Sequence, residues 1–189
     1  MEQAQRAQRL DEVQLAGIEL AEILVAREQI GQAERHRGAL AGARRCFERA
    51  GTVRHIRLHG DCHGGNVLWT DAGPHFVDFD DSRTGPAIQD LWMLLSGDRP
   101  AMTRQLADVL AGYEDFHDFD ARELHLLEAL RTLRLIHYSA WLARRWDDPA
   151  FPAAFPWFNT QRYWQDRILE LKEQLALMDE PPLERVRTL

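Results

Sequence analysis

The chain has few cysteines, no long apolar run and no excess of positive charge. Its two cysteines, Cys46 and Cys62, are too few for a disulfide framework, and they predict free thiols in a reducing cytosol. No stretch approaches the roughly 20 apolar residues that span a bilayer, and the first residues lack the order of a secretory signal. The formal net charge of -7 argues against a nucleic-acid-binding protein. We therefore expect a cytoplasmic protein with no membrane or nucleic-acid partner.

Strand and helix signals divide the chain into two parts. Residues 1–50 are rich in Ala, Glu, Gln, Leu and Arg, which favour helices, so they predict an N-terminal helical segment. Convincing strand character is confined to residues 54–80, and apolar spacings of three and four then predict a helical body over residues 86–178. The expected fold class is α+β and mostly helical, with a small β-hairpin in a domain that covers residues 51–189.

Two helix starts are predicted within the helical body. Gly85-Pro86 predicts a helix that runs through Leu95, because proline at the first helical position lacks only an amide that would have no partner. Asp120 followed by Glu123 resembles a capping box, with Asp in place of Ser or Thr, and predicts the start of a long helix. The buried face of that long helix is predicted at Leu126, Leu130, Leu133, His137 and Trp141.

Two polar segments flank the predicted β-hairpin. The first, residues 59–66, has the sequence His-Gly-Asp-Cys-His-Gly-Gly-Asn, and the second, residues 76–80, has the sequence Phe-Val-Asp-Phe-Asp. Apolar runs at Val67–Thr70 and His75–Phe79 predict the two strands, and the Asp-Ala-Gly-Pro sequence between them predicts the turn. Such a hairpin brings the two polar segments to the same end of the sheet.

The polar side chains of these segments suit phosphoryl transfer. That reaction requires a metal ion that bridges phosphates, and a carboxylate that orients the attacking hydroxyl and takes its proton. Asp61 can face the acceptor hydroxyl, while Asn66 and Asp78 can hold Mg²⁺, which prefers oxygen ligands and takes further ones from phosphates and water. The pattern therefore predicts Mg²⁺ as the metal and ATP as the co-substrate.

Two other metal chemistries are weighed against this interpretation. His59 and His63 could bind zinc beside Cys62, although adjacent ligands are poorly spaced and no second cysteine pair follows. A dinuclear-metal phosphohydrolase would require a His-Asp pair in direct sequence. The chain has one such pair, His117-Asp118, with no partner histidine nearby.

The polar segments resemble those of a known family. His-Gly-Asp-x-His-x-Gly-Asn, followed by a strand with a hydrophobic residue and Asp-Phe-Asp, resembles the catalytic and metal loops of the aminoglycoside-phosphotransferase and choline-kinase group, a branch of the protein-kinase-like fold. Longer runs resemble the bacterial stress response kinase A family of cytoplasmic serine/threonine protein kinases, at residues 57–63, 77–81, 85–95, 140–146 and 148–152. The resemblance implies the C-terminal lobe of a kinase-like fold, with a protein Ser/Thr hydroxyl as acceptor.

The resemblance also implies a role for each matching residue. Asp61 matches the family's proton acceptor, and Asn66 and Asp78 match its Mg²⁺ ligands. Structural support of the catalytic loop is implied for His59, His63 and Asp90. In this family Asp90 corresponds to a helix aspartate that holds the loop backbone by hydrogen bonds.

The sequence departs from the family pattern in two places. Gly64 stands where many relatives have proline, which implies a looser loop before binding. Residues 1–53 contain no Gly-rich strand-turn-strand and no strand lysine, since Lys172 is the only lysine. We therefore expect the N-terminal lobe to be absent, Mg-ATP binding to be weak and transfer to be poor. Self-association through the face that such a lobe would cover is a further expectation.

Two alternative functions share these features. A small-molecule kinase that acts on an aminoglycoside, choline, homoserine or a sugar would have the same loop. A kinase lobe that has lost catalysis and serves as a scaffold would keep the fold, and the missing lysine and Gly-rich loop favour it.

Overall fold

The computed structural model describes residues 30–185, and the predicted helices before residue 30 lie outside the described residues. The helices are α1 (Ile30–Ala50), α2 (Ile88–Leu91), α3 (Arg99–Glu114), α4 (Leu127–Arg144), α5 (Ala150–Ala154) and α6 (Gln161–Asp179). The strands are β1 (Ile56–Leu58), β2 (Val67–Thr70), β3 (Gly73–Phe76) and β4 (Arg83–Gly85). Short 3₁₀ helices cover Gly64–Asn66, Trp92–Leu94 and Ala121–Leu126. The prediction of a mostly helical α+β chain is confirmed.

The described chain forms two compact units. The helical unit combines the described residues up to Glu48 with Glu128–Glu180, and the mixed unit combines Arg49–Leu127 with residues 181–185. None of the described helices is long and apolar enough to cross a membrane. All four strands belong to the mixed unit.

The core of the helical unit lies between α1, α4 and α6. Two clusters of buried apolar residues join these helices, one around Leu142, Phe158 and Trp164, and one that includes Cys46 and Met178. Because α1 shares these clusters, the described part of the N-terminal segment packs with helices from much later in the chain. The predicted domain boundary near residue 50 stays a prediction.

The mixed unit contains two antiparallel ladders of two strands each. In the first ladder β1 pairs with β4, and Leu58 at the end of β1 lies opposite Arg83 at the start of β4. In the second ladder β2 pairs with β3, and Val67 at the start of β2 lies opposite Phe76 at the end of β3. In each ladder, one strand ends and its partner strand begins at the same edge.

Two chain segments connect these ladders. The first connection, residues 59–66, leads from β1 to β2, and the second connection, residues 77–82, leads from β3 back to β4. Because both connections leave paired ends of the same two ladders, they run side by side between them. The two polar segments of the sequence are thus neighbours, as the predicted hairpin required.

The structure corrects several predicted boundaries. Strand β2 coincides with the predicted strand. The strand predicted at His75–Phe79, which was to carry the metal ligand within residues 76–80, is wrong beyond Phe76, because β3 covers Gly73–Phe76. Asp78 instead lies in the second connection with a left-handed backbone, φ 65°. Strand β4 was not predicted, and its pairing with β1 replaces the single hairpin by two ladders. The helix predicted to run to Leu95 is α2 followed by a 3₁₀ turn.

Candidate functional site

Asp90 on α2 holds the start of the first connection. Its Oδ2 accepts a hydrogen bond from the amide of His59 at 2.7 Å, and its Oδ1 accepts one from the amide of Gly60 at 2.9 Å. The neighbouring Gln89 donates its side-chain Nε2 to the Gly60 carbonyl at 3.4 Å. Hydrogen bonds to a carboxylate are short and strong, so Asp90 fixes the backbone directly ahead of Asp61. Gln89 was missed by the sequence reading, because a glutamine carries no signal of such a contact.

Gly60 lies close to the main chain of the second connection. Its φ is +91°, and a Cβ placed on it would lie 2.1 Å from the carbonyl oxygen of Asp81. A side chain would therefore collide with the main chain of the second connection. Only glycine combines this left-handed backbone with this separation.

His59 joins the first connection to the second. Its Nε2 donates to the carbonyl of Val77 at 2.8 Å, and its Nδ1 accepts from the amide of Asp61 at 3.4 Å. These two partners require the neutral ring with its hydrogen on Nε2. The ring also packs near two aromatic side chains, with centroids 4.7 Å from Phe79 and 6.5 Å from Phe76. The implied role of His59 in loop support is consistent with these contacts.

His63 lies beside the carboxylate of Asp61. Its Nδ1 accepts from the amide of Gly65 at 3.0 Å, so a neutral ring carries its hydrogen on Nε2. That Nε2 lies 3.4 Å from Oδ2 of Asp61, whose side chain is 20% exposed. The carboxylate is thus held against the loop by one oxygen while part of it stays open to solvent.

Asn66 ties Asp61 to the second connection. Asn66 is buried, and its side-chain Nδ2 donates to the main-chain carbonyl of Asp61 at 3.0 Å. The main-chain carbonyl of Asn66 accepts from the amide of Val77 at 3.1 Å. The first of these bonds commits the carboxamide nitrogen, so the carboxamide oxygen is the atom suited to a metal. Asp78 follows Val77 directly and is exposed. The structure therefore brings the main chains at positions 61, 66 and 77 together, with Asp78 adjoining them.

The donor set suits magnesium better than a metal held by protein side chains alone. Within residues 30–185, no three His, Cys, Asp or Glu side chains cluster in a way that could hold a metal ion. Asn66 and Asp78 offer an amide and a carboxylate oxygen, and Mg²⁺ commonly takes one or two such ligands together with phosphates and waters. The His117-Asp118 pair, which was considered for a dinuclear metal site, makes a local contact: Nδ1 of His117 lies 2.8 Å from the main-chain carbonyl of Asp118.

The local chemistry also disfavours a zinc site at Cys62. Both ring nitrogens of His59 are engaged in hydrogen bonds with the loop backbone. Burial raises the pKa of the Cys62 thiol, and the negative charges of Asp90 and Asp61 raise it further. Since zinc binds the thiolate, this environment works against zinc binding.

The residues of this site also lie within a match to a known protein family. The profile of the phosphotransferase enzyme family (APH) matches residues 2–127, which is more than half of the chain. The match begins well before the motifs quoted above, so it includes nearly all of residues 1–50. It also covers both connections and α2 in full.

Individual relatives are similar over a comparable length. Stress response kinase A of Escherichia coli (strain K12) is 54% identical over 129 residues, which are 68% of this chain and 39% of that protein. The same values hold for the serine/threonine protein kinase RdoA of Salmonella typhimurium (strain LT2) and for stress response kinase A of Shigella flexneri. The matched part of the chain thus spans about two fifths of the length of these curated relatives.

The family match and the observed architecture agree. The helices with two small antiparallel ladders form a protein-kinase-like fold. The two connections contain Asp61, Asn66 and Asp78, and α2 contains Asp90. We conclude that this chain belongs to the phosphotransferase enzyme family.

Proposed function

We propose that this chain is the C-terminal lobe of an ATP- and Mg²⁺-dependent protein serine/threonine kinase and carries its catalytic residues. The observation that carries the proposal is a pair of hydrogen bonds made by Asn66. Its side chain donates to the Asp61 carbonyl, and its main-chain carbonyl accepts from the Val77 amide. This arrangement keeps a candidate base and two candidate metal ligands on adjoining backbone. The kinase names of the relatives support the same reaction.

Asp61 is the proposed proton acceptor. The acceptor hydroxyl would lose its proton to the Asp61 carboxylate, its oxygen would form a bond to the γ-phosphorus, and the bond from that phosphorus to the ADP oxygen would break. Two features support this role. Asp90 holds the amides just before Asp61, and the Nε2–H of His63 faces Oδ2. Position is critical in such reactions, because the base must lie within hydrogen-bond reach of the hydroxyl.

Asn66 and Asp78 are the proposed magnesium ligands. Asn66 would contribute its carboxamide oxygen, since its nitrogen is committed to Asp61, and Asp78 would contribute its carboxylate. The ion would neutralise negative charge on the phosphates of ATP. The exposure of Asp78 supports this role, because its carboxylate is accessible to a solvent-borne nucleotide.

The proposed acceptor is a serine or threonine hydroxyl of a protein. The printed names of the relatives are the support, since one is a serine/threonine protein kinase and the others are stress response kinases. We further propose the cytoplasm as its compartment, which suits two buried cysteines that form no disulfide.

We also propose that the chain self-associates through the face that an N-terminal lobe would cover, and that the exposed side of the β2–β3 hairpin is part of that face. The register places Trp69 and Phe76 on the same face, and their exposed fractions are 76% and 47%. Exposed apolar side chains grouped in this way commonly mark an interaction surface. Sedimentation equilibrium of the W69S variant tests the proposal: we expect a smaller mass than for the parent chain, and an equal mass would contradict it.

Phosphate transfer is tested with γ-labelled ATP and Mg²⁺, using casein beside a panel that contains choline, homoserine and an aminoglycoside. We expect label on serine or threonine of casein. D61N should lower the rate by about 10²–10⁴-fold, the usual contribution of a general base. D71N, in the exposed turn of the hairpin, is the matched control and should leave the rate unchanged. Label on a small compound alone would assign a small-molecule kinase instead.

Metal binding is tested separately from catalysis. Mn²⁺ with ATP should broaden the NMR amide signals of Asn66 and Asp78 selectively, and D78N should weaken that broadening. Selective broadening without any transfer would indicate a lobe that binds nucleotide as a scaffold. Broadening confined to other regions would contradict the proposed magnesium site.

A further inference from the structure

Glu123 is a buried carboxylate that the proposed reaction does not use. It lies on the 3₁₀ helix Ala121–Leu126 and is 3% exposed. Its Oε2 accepts a hydrogen bond from the amide of Ile88 at 2.9 Å. Glu123 therefore does not close the predicted capping box with Asp120. It binds the first residues of α2 instead.

We propose that Glu123 is a positioning residue for the catalytic loop and acts through α2 and Asp90. The inference rests on the proposed function in one respect, namely that Asp61 is the base whose position matters. The geometric part stands on the hydrogen bonds alone.

The buried amides at the start of α2 need an acceptor from outside the helix. The first amides of a helix have no acceptor within the helix, and here Ala87 and Ile88 are 5% and 0% exposed, so water does not replace one. An unsatisfied buried amide is costly, and a carboxylate is a strong acceptor for it. Glu123 thus determines whether this turn of helix is stable.

The first turn of α2 is connected to the catalytic loop through Asp90. The amide of Asp90 donates to the carbonyl of Ala87 at 3.1 Å, and that carbonyl belongs to the same peptide group as the Ile88 amide bound by Glu123, so this group connects Glu123 to the backbone of Asp90. The side chain of Asp90 then accepts the amides of His59 and Gly60. Because α2 has only four residues, little else within the helix keeps Asp90 in place if its first turn loosens.

Asp120 provides a matched control on the same 3₁₀ helix. Its Oδ1 accepts from the amide of Arg122 at 3.0 Å, and its carboxylate pairs with the Arg122 guanidinium. Loss of Asp120 therefore loosens the 3₁₀ helix without removing an acceptor from α2. An effect specific to E123A therefore reports on the amide of Ile88.

Amide hydrogen exchange measured by NMR on the whole chain tests the inference without requiring activity. We expect E123A to accelerate exchange at His59 and Gly60 by at least about tenfold, since the buried Ile88 amide loses its acceptor. E123Q keeps an acceptor of the same shape and should accelerate it by only about threefold to fivefold. D120A should leave both rates within about twofold of the parent chain.

The exchange rates distinguish the possible outcomes. Unchanged exchange at Gly60 in E123A, or equal acceleration in D120A, would overturn the inference. If E123A does not fold, exchange at Gly60 in E123Q decides, and a rate equal to that of the parent chain would overturn it.

Kinetics then separate this inference from the proposed function. We expect E123A to lower kcat by at least about fivefold with KM for ATP within about twofold, because base placement changes while nucleotide contacts do not. Faster exchange at Gly60 in a chain that transfers no phosphate would support the positioning contact and count against the kinase proposal. Faster exchange with unchanged kcat would overturn the catalytic part of the inference.

Discussion

Replacement of Gly60 by alanine tests how closely the two connections must approach. The added Cβ would lie 2.1 Å from the carbonyl oxygen of Asp81 and 2.9 Å from its carbonyl carbon. An ordinary contact begins near 3.4 Å, so the oxygen would have to move by more than 1 Å. That movement would pull on the chain only two residues before β4, whose pairing with β1 holds the first connection.

Two costs combine in G60A. Alanine in a left-handed conformation costs about 1–2 kcal/mol, and relief of an overpacked contact with backbone costs about 1–3 kcal/mol. We therefore expect the free energy of unfolding to fall by about 2–5 kcal/mol. Phosphate transfer should fall as well, because the displaced backbone leads directly into Asp61.

Urea unfolding followed by circular dichroism measures this change, and G64A is the matched control in the same loop. A Cβ at Gly64 would meet nothing within 4 Å, and Gly64 is not among the glycines with positive φ. G64A should change stability by no more than about 1 kcal/mol, in the stabilising direction, because alanine restricts the unfolded chain. Equal stabilities for G60A and G64A would refute the argument from close approach.

Three further predictions concern neighbouring groups. G64P should raise the free energy of unfolding by about 0.4–1 kcal/mol in urea, since His63 already has the extended φ -97° and ψ 164° that a residue before proline adopts; a decrease would contradict this. Burial raises the pKa of Glu123 above 4.5, so the folded chain keeps a proton that the unfolded chain has released. Stability should therefore fall as pH rises from about 4.5 through that raised pKa, and E123Q should lose this slope in urea titrations at each pH. Burial and the charges of Asp90 and Asp61 raise the pKa of Cys62, so iodoacetamide at about pH 8 should modify it at least about tenfold more slowly than in urea, by peptide mass spectrometry; equal rates would contradict it.

Local patterns predicted the elements whose causes are local. Strand β2 at Val67–Thr70 and the polar loop before it follow from the alternation of apolar runs and turn residues over a few positions. The α6 helix follows from regular apolar spacing, and its Leu171 and Met178 are buried. The roles assigned to Asp61, Asn66 and Asp78 stay predictions, although their backbones adjoin.

Long-range contacts explain what the sequence did not reveal. Strand β4 has three residues with no apolar alternation, and it forms because β1, far earlier in the chain, supplies its partner. Glu123 has the spacing of a capping box, but its carboxylate finds buried amides on another helix. Both features depend on tertiary neighbours that no local window contains.

The buried face of α4 shows a third kind of failure. His137 was predicted on that face but is exposed, whereas Thr132 and Ser139 are buried. Their hydroxyls donate to main-chain carbonyls one turn earlier, Thr132 to Glu128 at 2.7 Å and Ser139 to Leu135 at 3.1 Å. Serine and threonine that donate hydrogen bonds to their own helix can be buried at low cost. A prediction of the buried face from side-chain polarity therefore missed them.

The left-handed backbone of Asp78 limits which substitutions can report on its carboxylate. Asparagine adopts this conformation readily, so D78N exchanges a charge for an amide and leaves the chain path intact. Alanine or glutamate would add a conformational penalty of about 1–2 kcal/mol, and a lost activity would then have two indistinguishable origins. If asparagine and glycine preserve stability at this position while only aspartate preserves activity, then backbone conformation and charge constrain the position separately.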